Sequence, residues 1–174
     1  MQKPTETVED LFDAVQLLRA CCRYVSATGG ANRPPRFLRW ANAGMIRGLD
    51  RGRAPAFMRL LTVRGQVTGE LHTTPVVPVI RDGNVWVVSP YGEVAWVRNV
   101  RRAGQLELRR GKERTLYEAR ELGAREATPV LRAYLTMPTH WVVRRHFDVT
   151  KRSSDDAIAA EADQHPVFAL TPVK

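Results

Sequence analysis

The chain has 174 residues, 44% of them hydrophobic and 26% charged, which suits one globular domain with a core of its own. No apolar run reaches the length of a bilayer-crossing helix, which excludes a helical membrane spanner. Lys and Arg number 27 against 18 acidic residues, a formal charge of +9, so the surface attracts anions: nucleic acid, an acidic lipid surface, or a phosphorylated or carboxylated small molecule.

The N-terminus soon turns acidic and lacks the pattern of a signal peptide, so the expected setting is the cytoplasm. Residues 7–24 read as an amphipathic helix: Val8, Leu11, Phe12, Val15, Leu18 and Cys22 recur at helical spacing behind the capping Thr7. Cys21 and Cys22 are adjacent, and disulfide geometry wants Cα atoms further apart than one peptide step. No histidine stands near them to complete a metal site, so they read as small apolar fillers. After Gly29 and Gly30 a second helix is expected over 35–49. Arginines 36, 39, 47, 51 and 53 line it, and residues 35–53 form a basic amphipathic segment. That segment suits either packing on the protein's own barrel or peripheral contact with a membrane surface.

From Phe57 the pattern changes to strands. Phe57 to Arg64 is one; Thr74 to Ile80 and Asn84 to Ser89 flank Asp82-Gly83, a hairpin signal because both residues tolerate positive φ. Glu93 to Ala103 reads as a helix ended by Gly104. Strands follow over Gln105–Arg110 and Glu113–Glu121. Thr128-Pro129 opens a short helix to about Leu135, and His165 to Leu170 is a last strand. The order is two helices, then β-β-β-α-β-β-α-β. Regular βαβ alternation is missing, so the fold class expected is α+β, mainly β: an antiparallel barrel with helices across its openings.

Two segments carry chemistry. The first runs from Thr62 through Arg64-Gly65-Gln66-Val67-Thr68-Gly69 to Thr73-Thr74-Pro75. Its glycines let the backbone approach a ligand and expose N–H groups, while Arg64, Thr68, Thr73 and Thr74 add a cation and hydroxyls. It lacks the Gly-Lys-Ser/Thr of a P-loop, and it reads equally as an anion cradle or an ordinary hairpin turn. The second runs from Ser89 through Pro90-Tyr91-Gly92 into the helix bearing Trp96 and Asn99. The free N–H groups of a helix start hold anions, and Trp96 with Asn99 offers a stacking plane and an amide on one face. The same Trp96 also reads as core.

A Thr-x-Arg-Gly-x-x-Thr-Gly loop, then Thr-Thr-Pro, a hairpin, Pro-Tyr-Gly-x-x-x-Trp-x-x-Asn, and a closing His165-Pro166-Val167-Phe168 together resemble the deazaflavin (F420)-dependent nitroreductases and their oxidoreductase relatives. The resemblance spans about residues 55–170. It implies a split antiparallel β-barrel of the flavin/deazaflavin-binding type over 55–174 as one compact unit, preceded by a helical extension over 1–54. It implies coenzyme F420, an 8-hydroxy-5-deazaflavin whose tail carries a phosphate and glutamate carboxylates, ahead of FMN. Carried over by position, Arg64, Gly65, Thr68 and Gly69 line the tail site, and Thr73, Thr74 and Pro75 lie near ring or tail. Ser89, Tyr91, Gly92, Trp96 and Asn99 complete the pocket.

The activity implied is hydride transfer to an electron-poor, hydrophobic small molecule such as an activated alkene or nitro compound. Tyr91 and Tyr134 are the candidate proton donors, with Tyr24, His140, Trp141, His146 and Phe147 near the substrate side. Gln66, Val67 and His72 stand where relatives carry cations, and they motivate an alternative: a non-redox member without coenzyme that binds, isomerises or cyclises a hydrophobic metabolite or lipid. Analogy with related barrels adds a homodimer. No triad motif and no metal-ligand spacing appears, so no metal is expected; nucleic-acid binding rests on charge alone and is not expected.

Overall fold

A computed structural model of the protein describes residues 56–173 except Thr68. The helices expected over 7–24 and 35–49, the basic segment 35–53 and Tyr24 lie outside the described residues.

Among the described residues seven strands form one sheet: β1 (Arg59–Arg64), β2 (Leu71–Val76), β3 (Val79–Arg81), β4 (Asn84–Val88), β5 (Gln105–Arg110), β6 (Glu113–Glu121) and β7 (Val167–Pro172), in the order β2-β1-β5-β6-β7-β4-β3. Every pairing is antiparallel. The edge strands β2 and β3 are joined by Val77-Pro78 alone. Laid flat, a sheet of this width would hold its edges about 29 Å apart, whereas such a short connection reaches only about 11 Å. The sheet therefore curls on itself, which is the split barrel.

The expected single strand over Thr74–Ile80 is two strands. Pro78 has no N–H for a ladder and restricts the residue before it, so the chain leaves one edge there and joins the other. Pro75 stays within β2 because β2 is an edge. The Asp82-Gly83 turn forms as expected, with φ of 51° and 77°.

Helix α1 (Ala95–Ala103) follows β4 and ends on Gly104 at φ 66°, whose N–H bonds Val100 O. It starts after Glu93, whose carboxylate instead receives Arg101 Nη1 at 2.6 Å. Helix α2 (Ala124–Thr136) begins four residues before the expected Thr128. Gly123 caps it, Glu126 lies in its positive first turn, and Pro129 sits inside with its ring exposed. Thr128 Oγ1 donates to Ala124 O at 2.9 Å within that first stretch. Helix α3 (Asp155–Ala160) was not expected, although Ser154 is an N-cap whose oxygen accepts the Ala157 amide and Asp155-Asp156 follow it. Single 3-10 turns occupy Pro138–Val142, Arg144–His146 and Glu161–Asp163.

Among the described residues, two clusters make the core. One lies between the sheet and α1: Leu61, Val63, Val87, Val97, Val100, Leu106, Leu108, Phe168 and Leu170. The other packs α2 and α3 on the β3, β4 and β7 side through Val79, Val88, Leu131, Tyr134, Phe147, Ile158 and Val167. Among the described residues no helix is long and apolar enough to cross a membrane, and no group of His, Cys, Asp and Glu is set to hold a metal.

Candidate functional site

The glycine loop joins β1 to β2, and its conformation is fixed from inside the protein. Gly65 N–H donates to Glu70 O at 2.7 Å, and Gly69 N–H to Gly65 O at 3.1 Å. Gly69 adopts φ 72°, and Arg64 Nη1 donates to its carbonyl at 2.8 Å. Gln66 N–H donates to Asn99 Oδ1 at 3.2 Å. The expectation of a backbone nest is thereby narrowed: the amides of Gly65, Gln66 and Gly69 are spent on the protein's own oxygens.

Gly65 is also closely approached by its neighbours in the loop and β2. A Cβ there would lie 2.7 Å from His72 Nε2 and 3.2 Å from Glu70 O. His72, opposite Val63 in the β1–β2 ladder, leans its imidazole on the glycine. On the next pair, Thr62 Oγ1 and Thr73 Oγ1 share a hydrogen bond at 3.0 Å. Thr73, Thr74 and Pro75 are half-buried on the sheet edge, whereas Val67 is 88% exposed. Thr68 lies outside the described residues.

The Ser89–Gly92 turn connects β4 to α1. Ser89 is fully buried, and its hydroxyl is committed to the turn: Oγ donates to Gly92 O at 2.6 Å, while its N–H donates to Pro166 O at 2.9 Å. Gly92 takes φ 71°, and a Cβ would come 3.2 Å from Gln164 O. Tyr91 is half-buried with its ring edge-on to His146, centroids 5.1 Å apart. Trp96 is half-buried and leans on Phe168 at 5.8 Å, so it is part core and part surface. Asn99 is 6% exposed and is the bolt between α1 and the glycine loop. The helix that begins at the turn therefore holds the loop, and the structure joins the two sequence segments through α1.

Tyr134 lies elsewhere in character. It is buried in the α2 cluster between His140 (6.1 Å) and Phe147 (5.9 Å). His140 is held below the ordinary imidazole value by burial and then by the Arg144 charge. His146 is lowered by burial, then Arg145, then His165. Glu161 and His165 are buried as a pair that sequence reasoning missed. Their four-residue spacing looks like any surface helix pair, and only the tertiary fold buries it.

A family model described as F420H(2)-dependent quinone reductase matches residues 36–145, which takes in the glycine loop, the Ser89–Gly92 turn and α1. The chain belongs to this family. It is an oxidoreductase, and its coenzyme is F420. Among solved structures, one described as a domain-swapped dimer is 18% identical with a TM-score of 0.51, over 76% of this chain and 98% of that one. A protein of unknown function from Agrobacterium tumefaciens is 14% identical with a TM-score of 0.50, over 82% of this chain and 56% of that one. An F420-H2 dependent reductase is 19% identical with a TM-score of 0.46, over 67% of this chain and 95% of that one. The first two share the split-barrel fold.

The donor set suits a flat ring with a polyanionic tail. Exposed Arg64, the Thr74 hydroxyl and exposed Arg102 of α1 are groups of the kind that bind anionic oxygens, whereas Arg101 is already paired with Glu93 and Glu121; half-buried Tyr91 and Trp96 are aromatic groups suited to a flat ring.

Proposed function

We propose that the chain reduces an electron-poor small organic molecule, such as a quinone, an activated alkene or a nitro compound, at the expense of reduced F420. The observation that carries this reading is the Asn99–Gln66 hydrogen bond, because it joins the two motif segments into one surface inside the region matched by the family. When bound, the coenzyme supplies a hydride. The residues of this chain do the rest.

Arg64, Thr73 and Thr74 hold the tail, with Gly65 and Gly69 giving the loop its tight path. Trp96, Asn99 and the Ser89–Gly92 turn, with Pro75 on the sheet edge, orient the ring. The curled sheet and the α2 cluster keep water from one side. A proton must follow the hydride, and Tyr91 is the proposed donor at its phenolic oxygen: it is half-buried at the head of the turn. Tyr134, enclosed in the core, is the weaker candidate for that step.

Gln66, Val67 and His72 bring no fixed charge to the loop, so tail affinity falls on Arg64 and on exposed Arg102, one turn beyond Asn99 on α1, while Arg101 is held by Glu93 and Glu121. One assay tests the reading. Purified protein is mixed with reduced F420 and a panel of quinone, alkene and nitro acceptors, and coenzyme oxidation is followed. Acceptor-dependent oxidation supports the proposal; no oxidation with any acceptor overturns it. A homodimer belongs to the same proposal, given the dimeric solved neighbour, and light scattering tests it.

A further inference from the structure

Arg98 and Arg101 of α1 both grip Glu93, the residue that follows the Ser89–Gly92 turn. Arg98 Nη1 donates to the Glu93 carbonyl oxygen at 2.8 Å, and Arg101 Nη1 donates to its carboxylate Oε2 at 2.6 Å. The rest of the Arg101 fork turns to β6: Nε donates to Glu121 Oε2 and Nη2 to Glu121 Oε1, each at 2.7 Å. Arg101 sits in the last turn of α1, Glu93 just ahead of the first, and Glu121 at the end of β6. One guanidinium thus ties the two ends of α1 to each other and to the sheet.

An exposed ion pair ordinarily contributes little, because water screens it and two side chains lose freedom. This one differs in geometry and in place. A guanidinium fork on a carboxylate fixes direction as well as charge, and here three charge-assisted bonds share one group. Val94 at the helix start has no capping side chain, so the junction of turn and helix is held by other means. The elements joined are also those of the coenzyme surface: α1 carries Asn99, whose Oδ1 accepts the Gln66 amide, and the turn carries Tyr91.

We infer that Arg101, aided by Arg98, is a positioning residue: it fixes the Ser89–Gly92 turn and α1 against β6, and through Asn99 the glycine loop. Its value for binding rests on the proposed coenzyme site. Arg101 acts by direction and not by attracting the anionic tail, since its donors are spent on Glu93 and Glu121. Two variants separate direction from charge. Arg101→Lys keeps the charge, but one ammonium does not reproduce a planar fork across two carboxylates. Glu93→Ala removes a negative charge near an anionic ligand and removes the hold on the turn. If charge governs, lysine is harmless and Glu93→Ala tightens coenzyme binding; if direction governs, both variants weaken it.

The test uses the full chain. Amide hydrogen exchange by NMR, without coenzyme, reads Gln66, bonded to Asn99, and Val97, bonded to Val94 O in the first turn of α1, with the β5–β6 ladder as internal reference. The Kd for F420 is measured on the same preparations. The Arg101 and Glu93 side chains are 38% and 55% exposed, so both variants fold. In each, exchange at Gln66 and Val97 is expected to speed up about threefold or more against an unchanged reference, and Kd to rise about threefold or more. Exchange unchanged at both amides, or sped up equally in the reference ladder, overturns the local hold. Arg101→Lys with wild-type affinity, or Glu93→Ala binding more tightly, overturns the positioning role in favour of charge. Faster exchange at both amides in the variants, with no F420 binding even by the wild type, upholds the hold on the turn and helix and overturns the coenzyme-site reading instead.

Discussion

Asn99 Oδ1 accepts the Gln66 amide at 3.2 Å, and through that bond helix α1 sets the path of the glycine loop. Asn99→Ala removes the acceptor. We expect it to cost about 0.5–1.5 kcal/mol of stability, as a typical hydrogen bond does. Coenzyme affinity should fall by more than that loss explains, because the loop shifts. Chemical denaturation and a binding titration on the same preparation check both. Asn99→Asp keeps an acceptor but adds a negative charge next to an anionic tail, so it should lose less stability than Asn99→Ala and at least as much affinity.

Gly65 and His72 are coupled by space. Gly65→Ala would put a methyl group 2.7 Å from His72 Nε2, and the imidazole must swing away. The backbone oxygen of Glu70, 3.2 Å from the same point, gives way less readily. We expect Gly65→Ala to destabilise by roughly 1–3 kcal/mol. Gly65→Ala combined with His72→Ala should recover part, and not all, of that loss. A double-mutant cycle by denaturation measures the coupling.

Val67 is exposed on the loop and uncharged. Val67→Arg adds a cation at little cost to the fold. One charged hydrogen bond to a tail oxygen is worth about 1.5–3 kcal/mol, so affinity for F420 should rise roughly tenfold or more and should become more sensitive to salt. Unchanged affinity and salt dependence would place the tail elsewhere.

His140 and His146 make stability depend on pH. Both are held below the ordinary histidine value in the fold, each first by burial; the Arg144 charge follows for His140, and Arg145 then His165 for His146. The unfolded chain, with its imidazoles near pH ~6.5, therefore binds protons first as pH falls. Their contribution is full above that value and declines as pH drops from about 6.5 toward the folded-state values. Melting temperature should fall over that window. His140→Phe keeps an aromatic ring against Tyr134 and Phe147 and removes one titrating group, so its melting temperature should fall less steeply.

Much of this architecture is legible in the sequence, for local reasons. The Asp82-Gly83 hairpin, the Gly104 helix stop and strands β5 and β6 follow from turn chemistry and alternation over neighbouring residues. Helix α3 was missed even though Ser154-Asp155-Asp156 is a helix-start signal, because the helix behind it is only six residues long. The start of α2 was misplaced because Pro129 looks like a first-turn proline, and only tertiary packing carries the helix through it. In the site, the glycine loop and the turn can be named from the sequence, but the internal partners of the Gly65, Gln66 and Gly69 amides cannot. Asn99 on Gln66 and Glu161 on His165 are contacts made across the fold, and neither spacing nor composition announces them.

The surface joined by Asn99 and Gln66 is where the coenzyme is expected to bind. Fluorescence titration of oxidised F420 with the full chain, at low and at high salt, measures this. We predict a saturable change in coenzyme fluorescence that weakens as salt rises and weakens again in Asn99→Ala and Arg64→Gln. Fluorescence unchanged up to high micromolar protein, or binding indifferent to both substitutions, would contradict it.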